Sequence, residues 1–165
     1  MDAKMLDGKV AIITGASYGM GRTMAELFAE EGASVVITAR GKEKLDDVVK
    51  AINDKGGKAV GVVADTCSTE DTKRVFDTAL REFGDLDILI NNAGIGEQKL
   101  IDETDDEWML YVMNTNLGGP MRYIREALKI FLPKNDASSL TSRRSTARAP
   151  SAARHTHRRR ARSTR

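Results

Sequence analysis

The stretch KVAIITGASYGMGRTM, residues 9–24, decides the fold of this chain. A short run rich in β-branched residues is followed by a loop with three glycines and then by residues at helical spacing. This order predicts a buried strand over residues 9–14, a tight loop and a helix. Gly15 permits the sharp turn, Gly19 lets the backbone approach a pyrophosphate, and Gly21 lets the helix pack closely on the sheet. The helix N-terminus then offers free N–H groups to the phosphates.

The alternation of apolar runs and amphipathic segments continues through the first 136 residues. Further strands are predicted over residues 34–38, 58–65 and 86–94, and helical segments separate them. Near-continuous apolar strands that alternate with helices indicate a parallel sheet covered on both faces. Right-handed connections then make this the N-terminal part of a doubly wound α/β fold, a Rossmann fold with four strands present.

Two polar patterns predict where later helices begin. Ser68 with Asp71, and Thr104 with Glu107, have the spacing of a capping box. The acidic run DETDDE, residues 102–107, includes the second pattern. Acidic residues in a first helical turn favour the helix dipole, which accounts for this run, so no metal site is predicted.

Several linked motifs resemble the short-chain dehydrogenase/reductase family. The glycine spacing of residues 14–21 is TGxxxGxG, NNAG at residues 91–94 ends the fourth predicted strand, and YVMNTNLGGP occupies residues 111–120. The last segment resembles the one that holds the family's active-site asparagine, which is then Asn116, with Asn114 as the second choice. The resemblance covers the body of the chain. It implies an oxidoreductase that interconverts a secondary alcohol and a ketone with NAD(P)(H), with 3-oxoacyl, steroid or sugar-type substrates all open.

The resemblance also implies a cofactor site at the carboxyl ends of the strands. Asp65, just after the third predicted strand, matches the family aspartate that hydrogen-bonds the adenine amino group. The expected cofactor-binding residues are Gly15, Ser17, Tyr18, Gly19, Met20, Gly21, Arg40, Asp65, Thr66, Asn92, Ala93 and Gly94.

The end of the second strand should select the cofactor. A carboxylate there would bind the ribose 2′-hydroxyl of NAD(H). The chain instead has Ala39 followed by Arg40, whose guanidinium can bind a 2′-phosphate in a bidentate manner. NADP(H) is therefore the expected cofactor, with NAD(H) possible, while a solvated loop arginine is the alternative. Lys42 and Lys44 either add local positive charge or begin an exposed helix.

Three of the four catalytic residues implied by the resemblance have no counterpart here. The family uses a serine and a Tyr-x-x-x-Lys pair beside the asparagine, and the lysine lowers the pKa of the tyrosine. Tyr18, Tyr111 and Tyr123 all come too early, and no lysine follows Lys134. Strands five to seven are also expected to be missing, which would leave the fourth strand with an open edge. The chain is therefore expected to be a truncated or frameshifted member that is catalytically inactive.

Residues 137–165 differ in composition from everything before them. The first 136 residues contain all 24 acids and carry a net charge of −7, whereas the remainder contains nine arginines and no acid. We therefore predict two units, a partial Rossmann domain at 1–136 and a disordered tail at 137–165. One alternative is a genuine arginine-rich arm that binds nucleic acid by neutralising phosphates, although the acidic body has no nucleic-acid motif.

The tail composition favours a shifted reading frame near codons 136–137. Its residues come almost entirely from codons with C or G in the second position, as expected when the wobble base of a GC-rich gene is read there. Shifted by one base, residues 137–147 permit LIINVSSING, which resembles the family's fifth strand and its catalytic serine. Residues 155–163 permit YTSSKGAV, which resembles the tyrosine–lysine motif if Arg160 has an AGR codon.

The remaining features predict a cytoplasmic protein. Cys67 is the only cysteine, so no disulfide framework exists, and no nearby histidine would make it a nucleophile. The start lacks the apolar core of a signal peptide, and no apolar run approaches the roughly 20 residues of a membrane span. A small-molecule substrate and a homo-oligomer are expected for the intact parent; for this chain, oligomerisation is left open. A non-catalytic cofactor-binding fragment is the second alternative.

Overall fold

The computed structural model describes residues 4–96 and 100–134 and the backbone of residues 139–140. The strands are β1 Val10–Thr14, β2 Ser34–Ala39, β3 Lys58–Val63, β4 Ile88–Ile90 and β5 Ser139–Leu140. The α-helices are α1 Gly19–Glu30, α2 Lys42–Asp54, α3 Thr69–Phe83, α4 Asp106–Met113 and α5 Gly119–Phe131. The strands form one parallel sheet in the order β3-β2-β1-β4-β5. This is the predicted doubly wound α/β fold.

Apolar side chains cover both faces of the sheet, as its near-continuous apolar strands require. On one face, Ile13 of β1 belongs to a buried cluster that includes residues of α1 and α2. On the other face, Ile12 belongs to a second cluster that includes Val75 of α3 and Phe131 of α5. Alternate residues of β1 therefore point to opposite layers, which fixes the register of the strand.

The predicted strands are confirmed, but β4 is shorter than its apolar run. Where the strand was expected to begin, a side chain takes part in the contact with β1, because the Asp87 carboxylate accepts a hydrogen bond of 2.9 Å from the Val10 amide. The Asp87 amide in turn donates to the Val10 carbonyl oxygen at 2.9 Å. Beyond Ile90 the chain leaves the sheet, which brings the NNAG motif to the sheet edge.

The sheet has one more strand than the four that the sequence predicts. Residues Ser139 and Leu140 pair in parallel with Leu89 and Ile90, inside the range expected to be tail. The expectation that β4 has an open edge is therefore wrong for these two residues, since their edge groups have a neighbouring strand. A two-residue strand has no periodicity by which the sequence could reveal it. The predicted disorder of the tail otherwise lies outside the described residues.

Of the two predicted capping boxes, the one at the start of α3 is confirmed and the one at the start of α4 is not. Ser68 is the N-cap of α3 and accepts a hydrogen bond from the Asp71 amide at 3.1 Å, as predicted. The box at Thr104 is wrong by one residue, because Asp105 caps α4 by accepting from the Trp108 amide at 2.7 Å. The Thr104 hydroxyl instead donates to the Ile101 carbonyl oxygen. Within the described part of the chain, no helix is both long and apolar enough to span a membrane.

Candidate functional site

A cleft of about 930 Å³ lies at the carboxyl ends of the central strands. The chain passes to opposite sides of β1 there, because β2 and β4 flank it. Ligands of open α/β sheets bind in the crevice at this kind of switch point. All the predicted cofactor-binding residues except Gly21 line the cleft. The lining also includes Ala39, Lys42 and Lys44, which the sequence analysis named beside Arg40. The lining residues that the sequence analysis did not name are Thr38, Gly41, Glu43, Ala64, Ile95 and Thr115.

The glycine loop between β1 and α1 has the geometry that its three glycines predict. Gly15 has a φ of +67°, and a Cβ there would lie 2.8 Å from the Cα of Ala93. At Gly21, which is buried behind the loop, a Cβ would lie 2.3 Å from the carbonyl oxygen of Gly15. Gly19 has a φ of +57° and only open space where its Cβ would be, so a ligand can approach the backbone.

Asn92 fixes the glycine loop from the end of β4. Its side-chain amide donates hydrogen bonds of 3.0 Å to the carbonyl oxygens of Thr14 and Gly15. The Thr14 hydroxyl accepts from the backbone amides of Asn92 and Ala93, also at 3.0 Å. The Asn92 side chain therefore shapes the site by holding its loop. Thr14 was not among the predicted site residues, although its place in TGxxxGxG was the available signal.

The N-terminus of α1 opens at the cleft without a competing anion. Its N-cap Tyr18 is extended and makes no side-chain capping bond, and the first turn contains no acid. Tyr18 and Met20 are 71% and 60% exposed, so both can contact a ligand at the surface. Unpaired N–H groups and the helix dipole at such a terminus suit a phosphate. The residues present therefore fit the pyrophosphate of a dinucleotide.

Arg40 follows β2 at one end of the cleft. Its Nη1 donates a hydrogen bond of 2.8 Å to the Tyr111 hydroxyl oxygen, which raises the pKa of the guanidinium above its ordinary value. Lys42 and Lys44 also line the cleft, and Lys42 is paired with Asp46.

One acid complicates this basic end. The sequence has Ala39 instead of a carboxylate at the end of β2, but Glu43, in the first turn of α2, also lines the cleft. Together with Asp65 it gives the lining two carboxylates against three cations, Arg40, Lys42 and Lys44.

Asp65 lies in the turn that follows β3. Its Oδ1 accepts a hydrogen bond of 2.8 Å from the Cys67 amide, and its own amide donates to Asp71 Oδ2 at 2.9 Å. These bonds orient the carboxylate at the cleft wall, where binding of an adenine amino group stays a prediction. Cys67 is partly buried, with its sulfur 3.4 Å from the Thr115 hydroxyl oxygen.

The two candidate asparagines lie on a π-helical turn, Asn114–Gly118, between α4 and α5. Asn116 Oδ1 accepts from the Ile95 amide at 2.8 Å, and its Nδ2 donates to the Ile95 carbonyl oxygen at 2.7 Å. The Asn114 side chain instead accepts from Arg122 Nη2 at 2.7 Å. Asn116, the first choice from the sequence, is thus the one held against the cleft-lining segment. π-Helical turns are frequent at functional sites.

The three tyrosines of the chain lie in three different environments. Tyr18 is in the glycine loop and Tyr111 contacts Arg40, whereas Tyr123 is fully buried under the sheet. Burial raises the pKa of Tyr123 to about 12. No partner among the described residues comes within hydrogen-bonding geometry of the Tyr123 hydroxyl.

The fold and the cleft define a doubly wound, Rossmann-type nucleotide-binding protein. The sequence profile of the short chain dehydrogenases matches residues 9–147. The chain therefore belongs to the short-chain dehydrogenase/reductase family, whose members are oxidoreductases that use NAD(P)(H).

Curated and solved relatives agree with this assignment. The chain is 38% identical to an uncharacterized oxidoreductase of Methylorubrum extorquens, over 75% of this chain and 50% of that protein. It is 35% identical to a 3beta-hydroxysteroid dehydrogenase of Mediterraneibacter gnavus, over 79% of this chain and 48% of that protein. A crystal structure of a short chain dehydrogenase from Mycobacterium smegmatis superposes with a TM-score of 0.75 at 36% identity, covering 79% of this chain and 56% of that one. The chain spans about half the length of the curated relatives it matches.

Proposed function

We propose that this chain is the cofactor-binding part of an NADP(H)-preferring oxidoreductase. The observation that carries the preference is Arg40, which lies directly after β2 at the cleft with Lys42 and Lys44 beside it. A guanidinium binds a phosphate monoester through parallel charge-assisted hydrogen bonds. The ribose hydroxyl of NAD(H) is uncharged, so the positive charge of the guanidinium strengthens its binding much less. Glu43 opposes this preference, but the cations outnumber it at this end of the cleft.

Each part of the cleft has a role in this proposal. The backbone at Gly19 and the N-terminus of α1 bind the pyrophosphate, and Asp65 binds the adenine amino group. Asn92 and Thr14 keep the loop in the shape that this contact needs. The bound nicotinamide supplies the hydride acceptor or donor of the reaction.

The substrate proposed for the intact parent is a small secondary alcohol or the corresponding ketone. The name of the Mediterraneibacter gnavus relative is consistent with a hydroxysteroid, and 3-oxoacyl and sugar-type substrates remain in the same chemical class. Asn116 is the proposed active-site asparagine, since its amide holds the backbone of Ile95 at the cleft. A cytoplasmic location and homo-oligomerisation of the parent are part of the same proposal.

We also propose that the 165-residue chain cannot catalyse this reaction, because its sequence lacks the Tyr-x-x-x-Lys pair. A shift of reading frame near codons 136–137 explains this loss, and residues 137–165 are then a tail of out-of-frame residues. The family match extends to residue 147 and β5 begins at Ser139. On this proposal, the backbone pairing beside β4 persists despite the change of side chains.

Sequencing the coding DNA across codons 135–165 tests the frame proposal. An alternative frame that spells the serine strand and the tyrosine–lysine motif supports it, and restoring one base should then give NADPH turnover. If no frame spells them, the tail is genuine and the frame proposal fails. Its nine arginines then favour nucleic-acid binding, which a steep salt dependence of affinity would demonstrate.

Direct binding tests the cofactor preference without turnover. We expect the wild-type chain to bind NADPH more tightly than NADH, and Arg40→Ala to weaken NADPH binding about tenfold, which corresponds to about 1.4 kcal/mol. Arg81→Ala is the matched control, because it removes the same charge from the last turn of α3, outside the cleft lining. Equal affinity of the wild-type chain for both cofactors would contradict the preference.

A further inference from the structure

The contact between Arg40 and Tyr111 joins two parts of the site that are 71 positions apart in sequence. Arg40 follows β2, whereas Tyr111 belongs to α4, which comes after β4 in the chain. Both side chains are exposed, Tyr111 by 40%. Burial therefore does not restrict either side chain, and the hydrogen bond of 2.8 Å is the contact that joins them.

The backbone around Tyr111 is fixed by contacts on both sides. Asp105 caps the start of α4, and the Thr115 hydroxyl donates to the Tyr111 carbonyl oxygen at 2.9 Å. One residue further, Asn116 is bound to Ile95 by two hydrogen bonds. Tyr111 thus projects from an anchored segment, although α4 buries none of its own side chains.

An arginine side chain at a surface has many rotamers, and a partner that restricts it reduces the entropy lost on binding. The Tyr111 hydroxyl oxygen accepts from Nη1 and occupies one of the five guanidinium N–H donors. The other donors can bind two oxygens of one phosphate. Unlike a carboxylate, a tyrosine hydroxyl orients the guanidinium without forming an ion pair with it.

We propose that Tyr111 is a positioning residue for cofactor specificity, which holds Arg40 where a ribose 2′-phosphate is bound. This inference rests on the proposed NADP(H) preference and adds a determinant that acts through Arg40. The raised pKa of Arg40 is consistent with the contact, since the hydrogen bond to Tyr111 is its main cause. Tyr111 itself need not touch the cofactor.

The test compares two small probes, 2′,5′-ADP and 5′-AMP, which differ by the 2′-phosphate alone. Dissociation constants are measured for the full chain and for the variants Tyr111→Phe, Arg40→Ala and the double variant. We expect Tyr111→Phe to weaken 2′,5′-ADP about threefold to tenfold and to leave 5′-AMP unchanged. Because Tyr111 acts through Arg40, it should have no further effect once Arg40 is alanine.

A matched control is Met109→Ala, which changes an exposed residue on the same helix. A general disturbance of α4 would weaken both probes together and leave the ratio of their dissociation constants unchanged. If Tyr111→Phe leaves the ratio of the two dissociation constants unchanged, or tightens the binding of 2′,5′-ADP, the inference is overturned even if Arg40→Ala confirms the preference. If Arg40→Ala leaves the ratio unchanged as well, or the wild-type chain does not discriminate, both the inference and the proposed preference are overturned.

Discussion

Replacing Gly21 with serine tests the packing of the glycine loop most directly. A Cβ at this position would lie 2.3 Å from the Gly15 carbonyl oxygen, 2.5 Å from Asn92 Nδ2 and 2.9 Å from the Cα of Ala16. Two of these atoms belong to the backbone of the loop and cannot rotate away. The third belongs to the amide that holds the loop to β4.

The expected cost follows from these contacts. Overpacking of this kind costs about 1–3 kcal/mol. Displacing the Asn92 amide also weakens its two hydrogen bonds, each of which contributes about 1 kcal/mol. We therefore expect Gly21→Ser to lower the free energy of unfolding by about 3 kcal/mol, a large part of the 5–15 kcal/mol typical of a domain.

Urea denaturation followed by circular dichroism measures this loss. Gly41→Ser is the matched control, because Gly41 has a φ of −89° and open space where its Cβ would be. Gly41 is the N-cap of α2 and makes no side-chain capping bond, so serine there should leave stability unchanged or raise it by up to about 1 kcal/mol. If the two variants differ by less than about 1 kcal/mol, the packing argument is refuted.

Three further predictions concern the interior, a helix cap and the π-helical turn. Burial raises the pKa of Tyr123 to about 12, from about 10 in the unfolded chain, so the unfolded chain loses this proton first. Roughly 3 kcal/mol of stability should therefore be lost as the pH rises from 10 to 12 in urea titrations, and Tyr123→Phe should remove that loss. Ser68→Ala should lower the free energy of unfolding by about 1 kcal/mol, since the Asp71 amide loses its acceptor, and an unchanged thermal midpoint would contradict this. Asn116→Ala should speed hydrogen exchange at the Ile95 amide, and unaltered protection there would show that the side-chain bond is not what protects it.

The sequence predicted the parts of the fold that depend on local patterns. The strands up to β4 follow from β-branched runs, and the shape of the glycine loop follows from the conformational needs of Gly15, Gly19 and Gly21. The start of α4 was placed one residue early because Thr104 and Asp105 are both good N-caps. Only the three-dimensional path of the backbone decides between such neighbours.

Long-range side-chain contacts could not be predicted in the same way. The two hydrogen bonds of Asn92 to the glycine loop depend on the register of β4 against β1, which NNAG does not contain. The bond from Arg40 to Tyr111 depends on where α4 lies relative to β2, and the sequence does not specify that placement. Glu43 was missed because the sequence argument considered the residue at the end of β2 and not the acid in the first turn of α2.

The Thr14 hydroxyl has a consequence for the order of folding. It accepts hydrogen bonds from a segment that is 78 and 79 positions later in the chain, whereas β1 meets β2 after about 24 positions. Closing the longer loop costs about 1 kcal/mol more in chain entropy, so β1 and β2 can pair before β4 joins them. On a ribosome, the glycine loop therefore takes its final shape only after residues 92 and 93 have emerged. Until then, the nascent chain has a glycine loop without its closing contact.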